Sequence, residues 1–162
     1  MVTGVTLVLL LWLDGGRLRA EAGGLSPLDM RATGYTPEQA AEFVAALSPA
    51  GRALYLTDIR WADTALPLLL GLWFTLMLLR LSRGLFSWSR MVLLLPAWGY
   101  AVMDLCENAL LRDLVRAGAG GFDPAIATLA SQFTVTKFVL LAGALAALLF
   151  AVKTGQGKDR RA

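Results

Sequence analysis

The chain has 162 residues, of which 57% are apolar and only 17% charged, with a net charge of +3, and this departs from ordinary soluble composition. One cysteine and no histidine exclude an internal disulfide, C-x-x-C redox chemistry, b-type haem ligation, H-E-x-x-H zinc chemistry and Ser-His proteolysis. No metal and no cofactor are expected. The basic residues cluster at Arg80, Arg83 and Arg90 and again at Lys153, Lys158, Arg160 and Arg161. No aromatic-interleaved basic face accompanies them, so they point to a membrane surface and not to nucleic acid.

The apolar residues come in blocks. The first, Met1 to Leu13, is short; a first helix explains it better than a signal peptide, because no basic residue precedes it and no clear small-residue cleavage site follows. An outer segment, about residues 27–60, comes next and carries its own helix signals. In "YTPEQAAEFVAAL", Thr36 is the candidate N-cap, Pro37 the first helical residue and Gln39 the partner in a capping box. Ala40, Phe43, Val44 and Leu47 recur at helical spacing, which predicts an amphipathic helix packed on the spans or lying in the interface. Ser48 and Pro49 open a second helix with no evident break before the second span, although Pro67 is placed to kink it.

That second span covers residues 62–81 and the third 91–111. Asp123 and Pro124 then open a helix leading into the fourth, 133–152, followed by a basic tail at 153–162. Blocks of about 20 apolar residues are what a bilayer requires. The expected fold is all-α: one integral membrane domain over 1–162, a four-transmembrane-helix up-down bundle with a helical outer segment between the first and second spans. With the basic clusters inside, the chain is a multi-pass protein of the cell inner membrane with both termini cytoplasmic. The pairs Ala97 and Ala101, and Gly143 and Ala147, allow close helix approach.

The stretch "MDLCENALLR" interrupts this pattern. Tyr100, Asp104, Glu107 and Asn108 share one helical face, and charged groups at membrane depth face the bundle interior. In an up-down bundle, Asp63 at the outer start of the second span and Gln132, Thr134 and Lys137 early in the fourth fall at the same level. Lys137 is the expected partner of one carboxylate, with Asn108, Gln132 and Thr134 completing hydrogen bonds. Arg52 and Tyr55 are expected to form a polar lid, with Arg60 nearby. Carboxylates three residues apart repel, which marks Asp104 and Glu107 as candidate acid/base groups. Asp63 is a second candidate and Lys137 their electrostatic partner.

The segments "AGRALY", "WADTALPLLLGL", "DLCEN" and "TVTKFVLL" together resemble a family of small bacterial four-helix membrane proteins with a D-x-x-E-N motif in the third span. The resemblance runs from Gly34 onward and implies matching positions at Arg52, Tyr55, Asp63, Asp104, Glu107, Asn108 and Lys137. It implies no activity, and the first apolar block is short against that pattern.

Three functions fit these residues. The first is a membrane-embedded site for binding or acid/base processing of an amphiphile, such as a lipid or an isoprenoid-like small molecule. The second is an accessory subunit docked on a membrane-protein partner, with the polar cluster as internal glue. The third is proton or ion transport. Acids outnumber cations within the spans, which favours a site over glue. The plain inner halves, such as "LLAGALAALLF", disfavour transport.

Overall fold

In a computed structural model of the chain, residues 13–83 and 85–159 are described, with side chains described for 16–83 and 85–154. The apolar block at 1–13 therefore lies almost wholly outside the described residues. Every regular element among the described residues is helical. A π-helical turn, Leu13–Leu18, and a short stretch, Arg19–Glu21, lead into an irregular segment with a 3-10 turn at Leu28–Met30. Five helices follow: α1 (Pro37–Ala46), α2 (Pro49–Leu54), α3 (Arg60–Leu81), α4 (Ser87–Ala117) and α5 (Pro124–Asp159).

The helix starts are local chemistry. Thr36 Oγ1 accepts from the Gln39 amide at 3.3 Å while Gln39 Oε1 accepts from the Thr36 amide at 3.0 Å, a complete capping box. Ser48 Oγ accepts from the Gly51 amide at 3.0 Å, and Asp123 Oδ1 from the Ala125 amide at 2.8 Å. Between α2 and α3 the chain stays helical through a π turn, Tyr55–Ile59, so one helix runs from Pro49 to Leu81. At the far end of α4, Gly118 adopts φ +62 and ψ −170, a region essentially reserved for glycine. There Arg52 Nη1 donates to the Val115 carbonyl at 3.0 Å, placing a cation on the C-terminal turn of α4.

Helices α3, α4 and α5 form an antiparallel bundle, with α4 and α5 the most extensive pair. Small residues bring them close. A Cβ on Gly99 would stand 3.3 Å from Leu140, and one on Gly143 3.3 Å from Pro96. Gly71 lies under the Trp98 ring, whose Nε1 donates to Thr75 Oγ1 at 3.1 Å. The expected amphipathic helix, α1, packs on the start of α5 with Ala40, Phe43 and Val44 buried.

Two apolar cores result. The outer one joins the 16–59 segment to the bundle through Leu28, Tyr35, Phe43, Ile59, Leu111 and Leu114. The inner one contains Phe74, Leu78, Ala97, Ala144, Ala147 and Ala151. Between them lies a layer of buried polar side chains: Asp63, Asp104, Glu107, Thr134 and Lys137.

The outward faces are apolar. Leu68, Leu72 and Leu76 on α3, Met91, Val92 and Leu95 on α4, and Val139, Leu145 and Leu149 on α5 are all exposed. Pro49–Leu81 and Pro124–Thr154 are long and apolar enough to cross a membrane, with mean hydropathy 1.8 and 2.3. Only 22% and 17% of their most apolar windows is buried, whereas the core helix of a soluble protein buries most of itself. At 31 residues α4 is long enough as well, and it carries Asp104 and Glu107 within its apolar stretch.

Candidate functional site

Lys137 on α5 reaches across to α4 and contacts two carboxylates. Its Nζ lies 2.8 Å from Asp104 Oδ1, to which it donates a hydrogen bond, and 2.7 Å from Glu107 Oε2. The second contact is a close ion pair without good hydrogen-bond angles, since Glu107 Oε2 makes no hydrogen bond. Thr134 Oγ1, one turn before Lys137, donates to Glu107 Oε1 at 2.5 Å. Glu107 is fully buried, and Lys137 and Asp104 nearly so. A lone lysine thus faces two acids, and the expectation that it would pair with one of them understated its role.

Asn108 serves two helices. Pro67 lacks an N–H, so the carbonyl four residues earlier, that of Asp63, loses its intrahelical donor. Asn108 Nδ2 donates to that oxygen at 3.2 Å and to Asp104 Oδ2 at 3.2 Å. The amide therefore links the proline site of α3 to the charged layer.

The remaining predicted residues divide. Tyr100 is buried one turn before Asp104. Tyr55 is buried, Arg60 exposed, and Asp63 buried at the level of Asn108. These last three, with Thr64, Leu105, Asn108, Ala109 and Arg112, line a groove of about 70 Å³ between α3 and α4. Arg52 is half-buried, with Nη1 on the Val115 carbonyl at the end of α4. Gln132 is exposed on α5 and stands outside the buried layer. Cys106 is a half-buried free thiol, and no group of metal-ligating side chains occurs among the described residues.

Two residues of the outer segment belong to the site without a signal at sequence level. The chain between Leu28 and Thr36 folds down against α5, where the Tyr35 amide donates to Ser131 Oγ at 2.8 Å. Tyr35 Oη is buried beside Thr134 without a well-formed hydrogen bond, and its burial raises the phenol above its usual range. Asp29 Oδ1 is likewise buried and unpartnered. Burial raises the Asp29 carboxyl; Lys137 opposes this, Asp104 adds to it, and the Asp29 and Met30 amides oppose it. Asp29 is therefore a third acid in the field of Lys137.

A stability slope follows from the sign of that shift. A carboxyl held above its unfolded value stabilises the fold fully at low pH, and the contribution fades as pH climbs from the normal carboxylate range through the raised one. Asp29→Asn removes that dependence. Thermal unfolding at pH 4.5 and pH 7.5 is expected to show the variant gaining on the wild-type protein at the higher pH. An equal offset at both values would contradict the burial of this carboxyl.

No family model, curated protein or solved structure matches the chain.

Proposed function

We propose that this chain is a multi-pass inner-membrane protein whose charged layer, in the outer half of the bilayer, serves a site for an amphiphilic ligand. In this reading the apolar block at 1–13 and the stretches 62–81, 91–111 and 133–152 are the four spans, with both termini cytoplasmic. The exposed apolar faces of α3, α4 and α5 support it, since a contiguous belt of this kind is uncommon on a soluble monomer. So does the gathering of Arg80, Arg83, Arg90 and Lys153 at one end of the antiparallel bundle. Asp104 lies about 21 Å from Arg90 along α4 at 1.5 Å per residue, deep enough to be beyond the midplane.

One observation carries the reading. The groove between α3 and α4 touches the charged layer through Asn108, which lines the groove and hydrogen-bonds Asp104. A ligand headgroup in the groove would meet Asp63 and Asn108 directly and feel Asp104 through the amide. Asp104 and Glu107 are the acid/base candidates, and Lys137 holds their charge. Native mass spectrometry of the protein released from a mild detergent tests this. A bound amphiphile of defined mass is expected; protein free of any adduct would contradict it.

A second reading has its own support. Every charged group on α4 and α5 within the layer is already paired, and Asn108 answers a carbonyl that Pro67 strands. That is the pattern of internal glue in an accessory subunit of a membrane complex. It predicts that Asp104→Asn and Glu107→Gln lower the melting temperature and weaken the complex together, as does Gly143→Leu, which pushes α4 from α5. Proton or ion transport ranks last, because the inner core of Phe74, Leu78, Ala97 and Ala144 offers no polar relay.

A further inference from the structure

The stretch from Leu25 to Tyr35 has a 3-10 turn and no α-helix, and it covers the charged layer on its α5 side. Tyr35 lies beside Thr134, the residue that donates to Glu107. Glycines with positive φ flank the stretch: Gly23 at +62 and Gly24 at +88 before it, Gly34 at +82 near its end. A Cβ on Gly23 or Gly24 would meet nothing within 4 Å, so no packing resists rotation of the chain there. Between the glycines the stretch is braced on itself. Arg31 Nη2 donates to the Ser26 carbonyl at 2.8 Å, and the Gly34 amide to the Arg31 carbonyl at 2.7 Å. The Tyr35 amide ties it to Ser131 Oγ on α5.

Two neighbouring side chains pull the stretch in opposite directions. Leu28, 2% exposed, is seated in the outer core and favours docking. Asp29 beside it buries Oδ1 with no hydrogen-bond partner. The charged groups around it are mixed: Lys137 on α5 attracts an ionised Asp29, while Asp104 and Glu107 on α4 repel it. Tyr35 is the other titratable group that its own stretch brings to the layer, and Arg31 is turned to Ser26. Lys137 already pairs both α4 acids, so an ionised Asp29 adds a third anion to the layer, whereas a protonated one adds none. We propose that residues 25–35 form a lid over the charged layer, latched by a proton on Asp29, and that loss of this proton opens Lys137 and Glu107 to solvent. As control of access to the amphiphile site, the lid rests on that reading. In the open lid Asp29 titrates in the ordinary carboxylate range, while burial raises it in the closed one. Closure is therefore complete below the ordinary range and is lost as pH climbs through the raised one, opening growing about tenfold per pH unit in between.

The test uses the full chain in detergent with no lipid added. Hydrogen exchange at pH 5 and pH 8, corrected for the intrinsic rate at each pH, reads the lid. Protection of amides 28–36 is expected to fall about tenfold or more at pH 8, while Phe74 and Leu78 in the inner core stay protected. Asp29→Asn removes that dependence. Ser131→Ala, which cuts the Tyr35 tether, lowers protection by the same factor at both pH values and leaves the dependence in place. A water-soluble acetylating reagent then reads the layer, with Lys137 compared to the exposed Lys153 by peptide mass spectrometry. At pH 8 relative acetylation of Lys137 is expected to be several-fold faster in the wild-type protein than in Asp29→Asn. Equal wild-type protection at the two pH values, or a fall that persists in Asp29→Asn, overturns the latch. A lid that opens with no difference in Lys137 acetylation overturns its role as a cover. Neither readout involves an amphiphile, so failure here is distinct from failure of the ligand reading, which an adduct-free protein would show.

Discussion

Replacing Lys137 with methionine is expected to destabilise the protein by about 3–5 kcal/mol, the cost of stranding a buried charge partner. The ammonium lies 2.8 Å from Asp104 and 2.7 Å from Glu107. Methionine fills much of the same volume but leaves both carboxylates facing one another with little solvent. Thr134 still serves Glu107 and Asn108 still serves Asp104, yet neither supplies a countercharge. The loss should be reversible by chemistry alone. Adding Asp104→Asn and Glu107→Gln to Lys137→Met removes the stranded charges and is expected to recover most of the melting temperature in detergent. A single variant that melts beside the wild-type protein would show that the three side chains are not a coupled unit.

Gly34→Val is the second large effect, and it acts on the outer segment without touching the layer. Gly34 sits at φ +82, where a β-branched residue is strained by about 1–3 kcal/mol. A Cβ there would also stand 2.8 Å from Ser131 Oγ and 3.1 Å from Val135. Ser131 is the acceptor for the Tyr35 amide, so the clash and the lost hydrogen bond fall on the same contact. The expected outcome is that the segment from Leu28 to Thr36 lifts from α5 and unseats Asp29 and Tyr35, while the α3–α5 bundle holds. Hydrogen exchange should speed up in residues 28–36 and on the first turns of α5 and leave the inner core protected. Uniform loss of protection, or none, would contradict a locally docked segment.

These expectations rest on features of unequal visibility in the sequence. The helices were legible because their signals are local: Thr36 with Gln39, Ser48 with Pro49 and Asp123 with Pro124 each cap the helix they precede. The convergence of Asp63, Asp104, Glu107, Thr134 and Lys137 was also legible, since antiparallel helices of known rise bring such positions to one level. What escaped was everything fixed by register between segments. Asn108 reads as a generic polar neighbour until the vacancy that Pro67 leaves on Asp63 is brought opposite it. Asp29 and Tyr35 sit in an irregular stretch with no periodicity, so nothing local announces that they fold back on α5. Depth alone places Gln132 in the layer, but it lies on the exposed side of α5. Spacing on one helix says nothing of the hydrogen bond that Arg52 gives to the Val115 carbonyl at the end of α4.

In the proposed function the charged layer serves a ligand and is not solely the means by which three helices adhere. Asp104→Asn addresses it most directly, because the amide keeps the shape and an acceptor for Lys137 while removing the charge and the acid/base function. Melting temperature and amphiphile retention by native mass spectrometry are read on the same preparation. The fold is expected to survive, with Glu107 still paired to Lys137, and ligand retention to fall about tenfold or more. Retention and stability that fall together, or retention unchanged in a stable variant, would contradict it.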